Sequence, residues 1–439
     1  MENDGKKIDR REFMGKVGIG AAALGAFPAT RMFAAGNRVL GANDRIRIGL
    51  IGAGDRGQDD LRNALKQPNV ECVAVADIYS RRREQVKSHL PNVETYDDPR
   101  RLLDRNDIDA VINATPLHLH AKYFLATLAA GKDLYSEKTM TWNIPEAVAC
   151  RKAAKASKQV VQIGLQWETS GELADNKQWI KEGKAGKITM VESWMTRNSL
   201  RGHGQWVRPV PSDCNPDHVN WDLFLDGRPK VAFDGYKFMN WRLFWEFSGG
   251  NVAENMVHQI AWIASAMDLQ LPKAATMMGG IFSEKDGRQV PDTIGVSLEY
   301  PNDVLVLWQS SFSNSRYGLG ERFLGSNGTI EHVESSNSMI TGGPQTGNPR
   351  YTDEEAPGPI NYYPEKKNNP EGVPIEGENP GVNHMANWMD CIRNRKEPAA
   401  SVDVGYFSAI AVHMSNLAYR QQRRVTLEDA MSAKPEAWM

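Results

Sequence analysis

A glycine-rich turn directly after a short apolar run constrains this chain most strongly. The run covers residues 46–51 and reads IRIGLI, and Gly52, Gly54 and Gly57 then match the spacing G-x-G-x-x-G. The apolar run is typical of a buried parallel strand. The glycines permit a tight turn and let backbone N–H groups approach a pyrophosphate, which the positive end of a helix starting near Asp55 would also attract. The pattern therefore predicts a strand–turn–helix unit that binds a dinucleotide.

An acidic residue ends the next predicted strand. The apolar run 72–76 is followed by Asp77, which lies 20 positions beyond Gly57. A carboxylate at this place accepts hydrogen bonds from the ribose hydroxyls and repels a 2′-phosphate, so the sequence favours NAD over NADP. Arg81 and Arg82 follow closely and would soften that repulsion.

Composition excludes several classes of function. With 439 residues, 41% hydrophobic residues and a formal net charge of −2, the chain has room for two domains and no charge excess for nucleic acid or an anionic membrane. Its four cysteines show no CxxC spacing, so we expect buried free thiols rather than a metal site or a disulfide framework. These features leave a small molecule as the expected ligand and no nucleic acid as a partner.

The first 42 residues resemble an export signal. Arg10 and Arg11 stand in the stretch DRREFM, which is similar to the twin-arginine motif, and residues 15–27 form a Gly- and Ala-rich, weakly apolar segment. That segment is too short and too mild for a spanning helix. We therefore predict a periplasmic or otherwise exported protein, with the twin-arginine export machinery as a partner. The cleavage site is left open, and so is an uncleaved membrane anchor.

Short apolar runs alternate with helical patterns over residues 43–165. This alternation predicts an α/β domain with a doubly wound parallel sheet, which binds ligands beyond the carboxyl ends of its strands. Polar clusters follow the predicted strand ends at Ile51, Ala76, Ala114 and Ser136. We expect these clusters to meet at one edge of the sheet.

The pattern changes after Leu165. Strand patterns rich in Val, Leu, Ser and Trp appear, and aromatic residues crowd positions 194–247. Residues 384–394 and 404–421 show helical patterns near the end of the chain. We predict a second domain over residues 166–439, with a mostly antiparallel sheet, helices around it, and roles in substrate binding and oligomerisation.

Four motifs together make the chain similar to the Gfo/Idh/MocA oxidoreductase family. They are GAGDRG (52–57), ATPLHLH (114–120), the pair EK (137–138) and GGNVAENMVH (249–258). The resemblance implies an N-terminal Rossmann domain, a C-terminal α/β domain with a mostly antiparallel open sheet, and an NAD(P)-linked reaction on a sugar, cyclitol or related polyol. It also implies sheet contacts between subunits, so we expect a homodimer or homotetramer.

The resemblance, together with the glycine turn, assigns the cofactor contacts. Thr115, Pro116 and His120 would line the cofactor, and Glu137 and Lys138 would lie near the nicotinamide. Two histidines stand two positions apart at a helix start, and nothing else completes a set of metal ligands, so no metal is predicted. The predicted cofactor-binding residues are Gly52, Gly54, Asp55, Arg56, Gly57, Asp77, Thr115, Pro116, His118, His120, Glu137 and Lys138.

Removal of a hydride from a carbinol carbon requires a group that takes the hydroxyl proton. Glu254 and His258 are four positions apart, so a helix would present both on one face. We predict His258 as the base, Glu254 as the group that orients it or holds a substrate hydroxyl, and Lys138 as the donor to the developing oxyanion or a proton relay. The alternative for His258 is a histidine satisfied in the core.

Two departures from the family leave the substrate geometry and the reaction type open. The family usually has Pro after its Glu-Lys pair, where this chain has Thr139. It usually has Asp four residues before the His, where this chain has Glu254. The glutamate side chain is longer than that of aspartate, so it keeps the carboxylate charge and changes its position.

Aromatic rings bind sugars by covering the C–H face of the sugar ring, while polar neighbours hold the hydroxyls. Three functions stay open: an NAD-dependent oxidoreductase acting on a sugar, glycoside or cyclitol; a redox-neutral NAD-dependent glycoside hydrolase or epimerase with a tightly bound cofactor; and a non-catalytic NAD-binding sensor. The predicted substrate-binding residues are Trp167, Arg197, Asn198, His203, Trp206, Trp241 and Arg242.

Overall fold

The computed structural model describes residues 45–197, 204–313, 318–334, 360–364, 373–375 and 379–438. The predicted export segment and the substrate candidates Asn198 and His203 lie outside these ranges. Within them, no helix combines the length and the apolarity that crossing a bilayer requires.

A parallel sheet forms the first domain, as the alternating pattern predicts. Its strands in the described residues are β1 (Ile46–Ile51), β2 (Val70–Ala76), β3 (Glu94–Tyr96), β4 (Ala110–Asn113), β5 (Asp133–Ser136) and β6 (Val161–Ile163). Its helices are α1 (Asp55–Leu65), α2 (Ser80–His89), α3 (Pro99–Leu103), α4 (His120–Ala129) and α5 (Ile144–Ala156). The strands pair in parallel in the order β3-β2-β1-β4-β5-β6. The direction of the order reverses beside β1, where doubly wound sheets bind ligands.

The second sheet has seven longer strands in the described residues and a two-residue strand at each edge. The strands are β7 (Ile188–Met195), β8 (Ala274–Gly280), β9 (Thr293–Tyr300), β10 (Val304–Ser311), β11 (Leu319–Gly325), β12 (Gly328–Glu334), β13 (Ile360–Pro364), β14 (Val373–Pro374) and β15 (Val425–Thr426). Their order is β14-β13-β12-β11-β7-β10-β9-β8-β15. Only the pair of β7 and β10 is parallel among these strands, which confirms the prediction of a mostly antiparallel sheet.

Helices cover one face of this second sheet. Alternate residues of β9, namely Ile294, Val296 and Leu298, are buried in one core with the long helices of the domain. This period of two is what a strand with one covered face requires. The remaining α-helices of the described chain are α6 (Gly171–Lys181), α7 (Trp221–Leu225), α8 (Gly235–Met239), α9 (Val257–Ala266), α10 (His384–Asn394), α11 (Val402–Gln421) and α12 (Leu427–Met431).

Helix α10 departs from the predicted division at residue 166. It follows most of the second sheet in the sequence, yet its buried residues Trp388 and Met389 pack in one core with Ile46 of β1. Just beyond its end, Arg395 donates to both carboxylate oxygens of Asp133, at 2.7 and 2.8 Å. A segment near the end of the chain therefore completes the first domain. The apolar face of α10 would suit the core of either domain, so its place in the sequence did not predict that it packs against the first domain.

Candidate functional site

Most of the predicted site residues line a cleft of about 310 Å³. It lies at the carboxyl ends of β1, β2, β4 and β5, and residues 205–211 and 238–242 of the second domain form its opposite wall. All predicted cofactor residues except His118 line it. Four separate strand ends therefore meet at one edge of the sheet, as their polar clusters predict.

The glycine turn fits a pyrophosphate. Gly52 has a φ of +89°, and a Cβ on Gly57 would lie 1.9 Å from the Gly52 carbonyl oxygen. At Gly54 the nearest atom to such a Cβ, Arg82 Cζ, is 3.8 Å away, so this glycine faces the open cleft. Helix α1 begins at Asp55, as predicted, and its N-cap residue, Gly54, has no side chain that could cap the first N–H groups. These donors and the positive end of the helix are aimed at the space that an anionic ligand would fill.

Asp77, directly after β2, holds the glycine turn in place. Its Oδ2 accepts a hydrogen bond from the Ala53 N–H at 2.7 Å, and its Oδ1 accepts one from the Tyr79 N–H at 2.8 Å. Arg82 Nη1 lies 3.8 Å from Oδ2, and the guanidinium rests against the rings of Tyr79 and Phe238. Since a carboxylate has about four acceptor positions, Asp77 can serve the turn and a ribose together.

Lys138, the second residue after β5, reaches across the cleft to the second domain. Its Nζ donates to the Glu254 carbonyl oxygen at 2.7 Å and lies 3.8 Å from Glu254 Oε2. Arg242 Nε donates to the same Oε2 at 3.0 Å. The side chains of Lys138 and Glu254 are 8% and 9% exposed, so these charges act on each other with little screening by water. An ammonium, a carboxylate and a guanidinium thus meet at one end of the cleft.

The helix that carries Glu254 does not bring His258 into the cleft. A π-helical turn precedes α9, in which the Val257 N–H bonds to the Val252 carbonyl, five residues back. The face that four-residue spacing predicts for a regular helix is therefore not shared. His258 is 4% exposed, and its ring centroid lies 5.3 Å from that of Trp167. Neither residue is among the described residues that line the cleft, which corrects their predicted placement. The catalytic role of His258 stays a prediction.

The two histidines after β4 have different surroundings. His118 Nε2 lies 2.7 Å from the Phe224 carbonyl oxygen, outside the cleft, and burial lowers the pKa of this imidazole well below its usual value. This differs from the predicted place of His118 beside the cofactor, because the short helical turn before α4 directs its ring into the aromatic core of the second domain. His120 lines the cleft, but its ring nitrogens lie 2.7 and 2.8 Å from the carbonyl oxygens of Thr139 and Thr115. His120 therefore braces the two strand-end loops.

Four of the predicted substrate residues line the cleft: Arg197, Trp206, Trp241 and Arg242. The Arg242 guanidinium lies 4.3 Å from the centroid of the Trp241 ring. Arg197 Nη2 donates to Asn255 Oδ1 at 3.0 Å. Aromatic faces and fixed donors therefore stand together beside the Lys138 ammonium, as sugar binding requires.

Asn255 and Arg208 are among the cleft residues that sequence reasoning missed. Asn255 stands inside the motif that supplied Glu254, so the motif itself could have drawn attention to it. Arg208 Nη1 donates to Asp55 Oδ2 at 2.5 Å, across the boundary between the domains. The two residues are 153 positions apart, and no local pattern indicates that contact.

Two family models match the chain. One is described as "Oxidoreductase family, NAD-binding Rossmann fold" and matches residues 46–165. The other is described as "Oxidoreductase family, C-terminal alpha/beta domain" and matches residues 218–427. Together they cover most of the chain, including the whole parallel sheet and every described strand of the second sheet except β7.

Curated relatives match over part of their length. A scyllo-inositol 2-dehydrogenase (NAD(+)) from Bacillus subtilis is 29% identical over 196 residues, which are 44% of this chain and 57% of that protein. An inositol 2-dehydrogenase from Rhodococcus jostii is 29% identical over 153 residues, which are 34% of this chain and 42% of that protein. The chain thus spans about half the length of the curated relatives it matches.

Solved structures match over nearly their whole length. A levoglucosan dehydrogenase in complex with NADH and levoglucosan is 15% identical with a TM-score of 0.65, over 88% of this chain and 100% of that one. An aldose-aldose oxidoreductase from Caulobacter crescentus is 16% identical with a TM-score of 0.62, over 87% of this chain and 99% of that one. At these identities the likeness shows a shared fold.

Substitution of two glycines of the turn should distinguish an effect on folding stability from an effect on nucleotide binding. Gly57→Ala places a methyl group against the Gly52 carbonyl, so we expect the free energy of unfolding without ligand to fall by about 1–3 kcal/mol. Gly54→Ala, at φ −67° and ψ −175° in open space, should change it by less than about 0.5 kcal/mol. Both should weaken NADH binding, because either methyl disturbs the pyrophosphate seat. Urea unfolding and NADH fluorescence titration measure the two effects, and equal unfolding curves for both variants would contradict this assignment.

Proposed function

Because the chain belongs to the Gfo/Idh/MocA oxidoreductase family, we propose that it uses NAD to oxidise a hydroxyl-bearing carbon of a sugar, glycoside or cyclitol. The observation that carries the proposal is the position of the Lys138 ammonium, which lies in the cleft beside Glu254. Lys138 stands just beyond β5, two strands away from β1 and its glycine turn in the sheet order. The names of the relatives, which are inositol and levoglucosan dehydrogenases, support a polyol as substrate.

The side chains of the cleft have different roles in the proposed oxidation. A bound nicotinamide would supply the acceptor for the hydride. The Lys138 ammonium has three donors, of which one serves the Glu254 carbonyl, so another can stabilise the substrate oxygen as its negative charge grows. Glu254 Oε2, oriented by Arg242, accepts a hydrogen bond from a neighbouring hydroxyl and so fixes the substrate. His258, in the first turn of α9, is not among the described residues that line the cleft, and its role as the base stays a prediction.

Replacement of Lys138 should affect the chemical step far more than it affects nucleotide binding. In a screen of sugars and cyclitols with NAD, we expect Lys138→Met to lower kcat by about 10²–10⁴-fold on the best substrate, because a positioned proton-transfer or oxyanion group contributes that much. NADH affinity should change little. Lys187→Met, at a position 63% exposed, is the matched control.

The same assay tests His258. A loss in His258→Ala similar to that in Lys138→Met would support its role as the base. Near-normal turnover would assign it to the core instead. Full activity of Lys138→Met would contradict the proposed reaction site.

Asp77 supports NAD over NADP in this proposal. Its carboxylate, 4% exposed, stands at the end of β2, where it would repel a 2′-phosphate. We expect the protein to bind NADH more tightly than NADPH and Asp77→Ala to reduce that preference by roughly tenfold. The ratio of the two dissociation constants is the readout, because loss of the Ala53 contact would weaken both ligands. Asp107→Ala, in an exposed pair, should leave the ratio unchanged; tighter NADPH binding by the unmutated protein would contradict the assignment.

We also infer export from the twin-arginine motif. Since that route carries folded cargo and free NAD is scarce outside the cytoplasm, protein from the periplasm should contain bound NAD(H) and turn over with none added. Arg10→Lys with Arg11→Lys should keep the protein in the cytoplasm.

The products distinguish the functions left open. Products formed from one substrate without net oxidation would favour the glycoside hydrolase or epimerase, and a need for a second sugar would favour the oxidoreductase. Cytoplasmic or nucleotide-free protein would contradict the inference.

A further inference from the structure

A buried asparagine fixes the backbone of Arg208 at the mouth of the cleft. Asn240 Oδ1 accepts a hydrogen bond from the Arg208 N–H at 2.6 Å, and Asn240 Nδ2 donates to the Arg208 carbonyl at 3.1 Å. Asn240 is 1% exposed, so water does not compete for these bonds. The Arg208 side chain therefore projects from a fixed point of the second domain.

The guanidinium of Arg208 reaches the N-terminus of α1 in the first domain. Its Nη1 donates to Asp55 Oδ2 at 2.5 Å. Asp55 is the first residue of that helix and lines the cleft beside Gly54. An acidic side chain at this place repels an anionic ligand unless a cation neutralises it. Arg208 supplies that cation.

Arg208 is also one of three arginines that repel each other across the cleft. Burial lowers the pKa of its guanidinium below the usual value, the Asp55 carboxylate raises it, and the charges of Arg242 and Arg82 lower it further. All three arginines line the cleft. A guanidinium remains charged in spite of such shifts. Each of the three lies near one carboxylate, namely Asp55, Asp77 or Glu254, and an anion bound among them would lower the repulsion that remains.

We propose that Arg208 is a ligand of the dinucleotide pyrophosphate, supplied by the second domain, and that Asp55 holds its guanidinium until the nucleotide binds. The inference rests on the dinucleotide site of the proposed function and assigns to it a residue from the opposite wall. The side chains of Arg208 and Asp55 are 36% and 51% exposed. An ion pair this exposed is weak, so the guanidinium can exchange a carboxylate for phosphate oxygens, to which it binds in a bidentate manner.

This arrangement makes the nucleotide a bridge between the two domains. The glycine turn holds the pyrophosphate from one side and Arg208 holds it from the other, so the nucleotide leaves only when one of these contacts breaks. Slow release is the expected consequence, and the contribution of Arg208 to it is electrostatic. It should therefore weaken as the salt concentration rises.

The test compares ligands with and without phosphate. We expect Arg208→Gln to raise the dissociation constants of NADH and ADP-ribose by about tenfold, as for a lost hydrogen bond to a charged group, and to leave adenosine unchanged. Displacement of bound NADH in a stopped-flow instrument should be faster by a similar factor. Arg208→Lys should recover part of the loss. Arg62→Gln removes the same charge from an exposed position of α1 and is the matched control.

Each outcome separates this inference from its alternatives. Unchanged NADH and ADP-ribose binding in Arg208→Gln would overturn it and leave the proposed reaction untouched. An equal loss of adenosine binding would show a structural role and would also overturn it. Asp55→Asn, which removes an anion from the phosphate seat, should bind ADP-ribose at least as tightly as the unmutated protein; weaker binding would contradict the role given to Asp55. Dinucleotide binding without polyol oxidation would contradict the proposed function alone.

Discussion

Two hydrogen bonds between the domains set the geometry of the site. Lys138 Nζ donates to the Glu254 carbonyl at 2.7 Å, and Thr139 Oγ1 donates to the Ala253 carbonyl at 2.6 Å. In a regular helix the Ala253 carbonyl would accept from Val257, but the π-helical turn redirects that N–H to Val252. The carbonyl is thereby left for the loop of the other domain. Thr139 stands where the family usually has proline, which has no hydroxyl to donate. The Thr139 hydroxyl and the carbonyl left by the π-helical turn therefore form this contact between the domains together.

The parts of the site that the sequence predicts are those fixed by local backbone geometry. Gly52 and Gly57 are required by a turn that closes within six residues, and Lys138 is placed because a parallel strand ends just before it. The parallel sheet follows from the alternation of strand and helix patterns in the sequence. In each case the deciding contacts lie within one strand–helix unit, so periodicity and turn chemistry suffice.

The parts that the sequence does not predict depend on distant packing. His118 shares a motif with His120, but the aromatic core of the second domain accepts its ring. His258 is displaced from the face of Glu254 by a change of helix type that no residue pattern announces. Helix α10 joins the core of the first domain because its apolar face meets Ile46, which lies more than 300 positions earlier. A one-dimensional pattern shows that a face is apolar, and it does not show which surface covers that face.

Asn240 has a consequence for how the two ends of the cleft communicate. This buried amide holds the backbone of Arg208, and the next two residues in the chain are Trp241 and Arg242, of which Arg242 binds Glu254. The groups proposed to face a nucleotide and those proposed to face a polyol are therefore joined through a single side chain and two peptide bonds. A ligand that shifted this segment from one end would change the affinity at the other end, and thermodynamic reciprocity would then require the same factor in both directions.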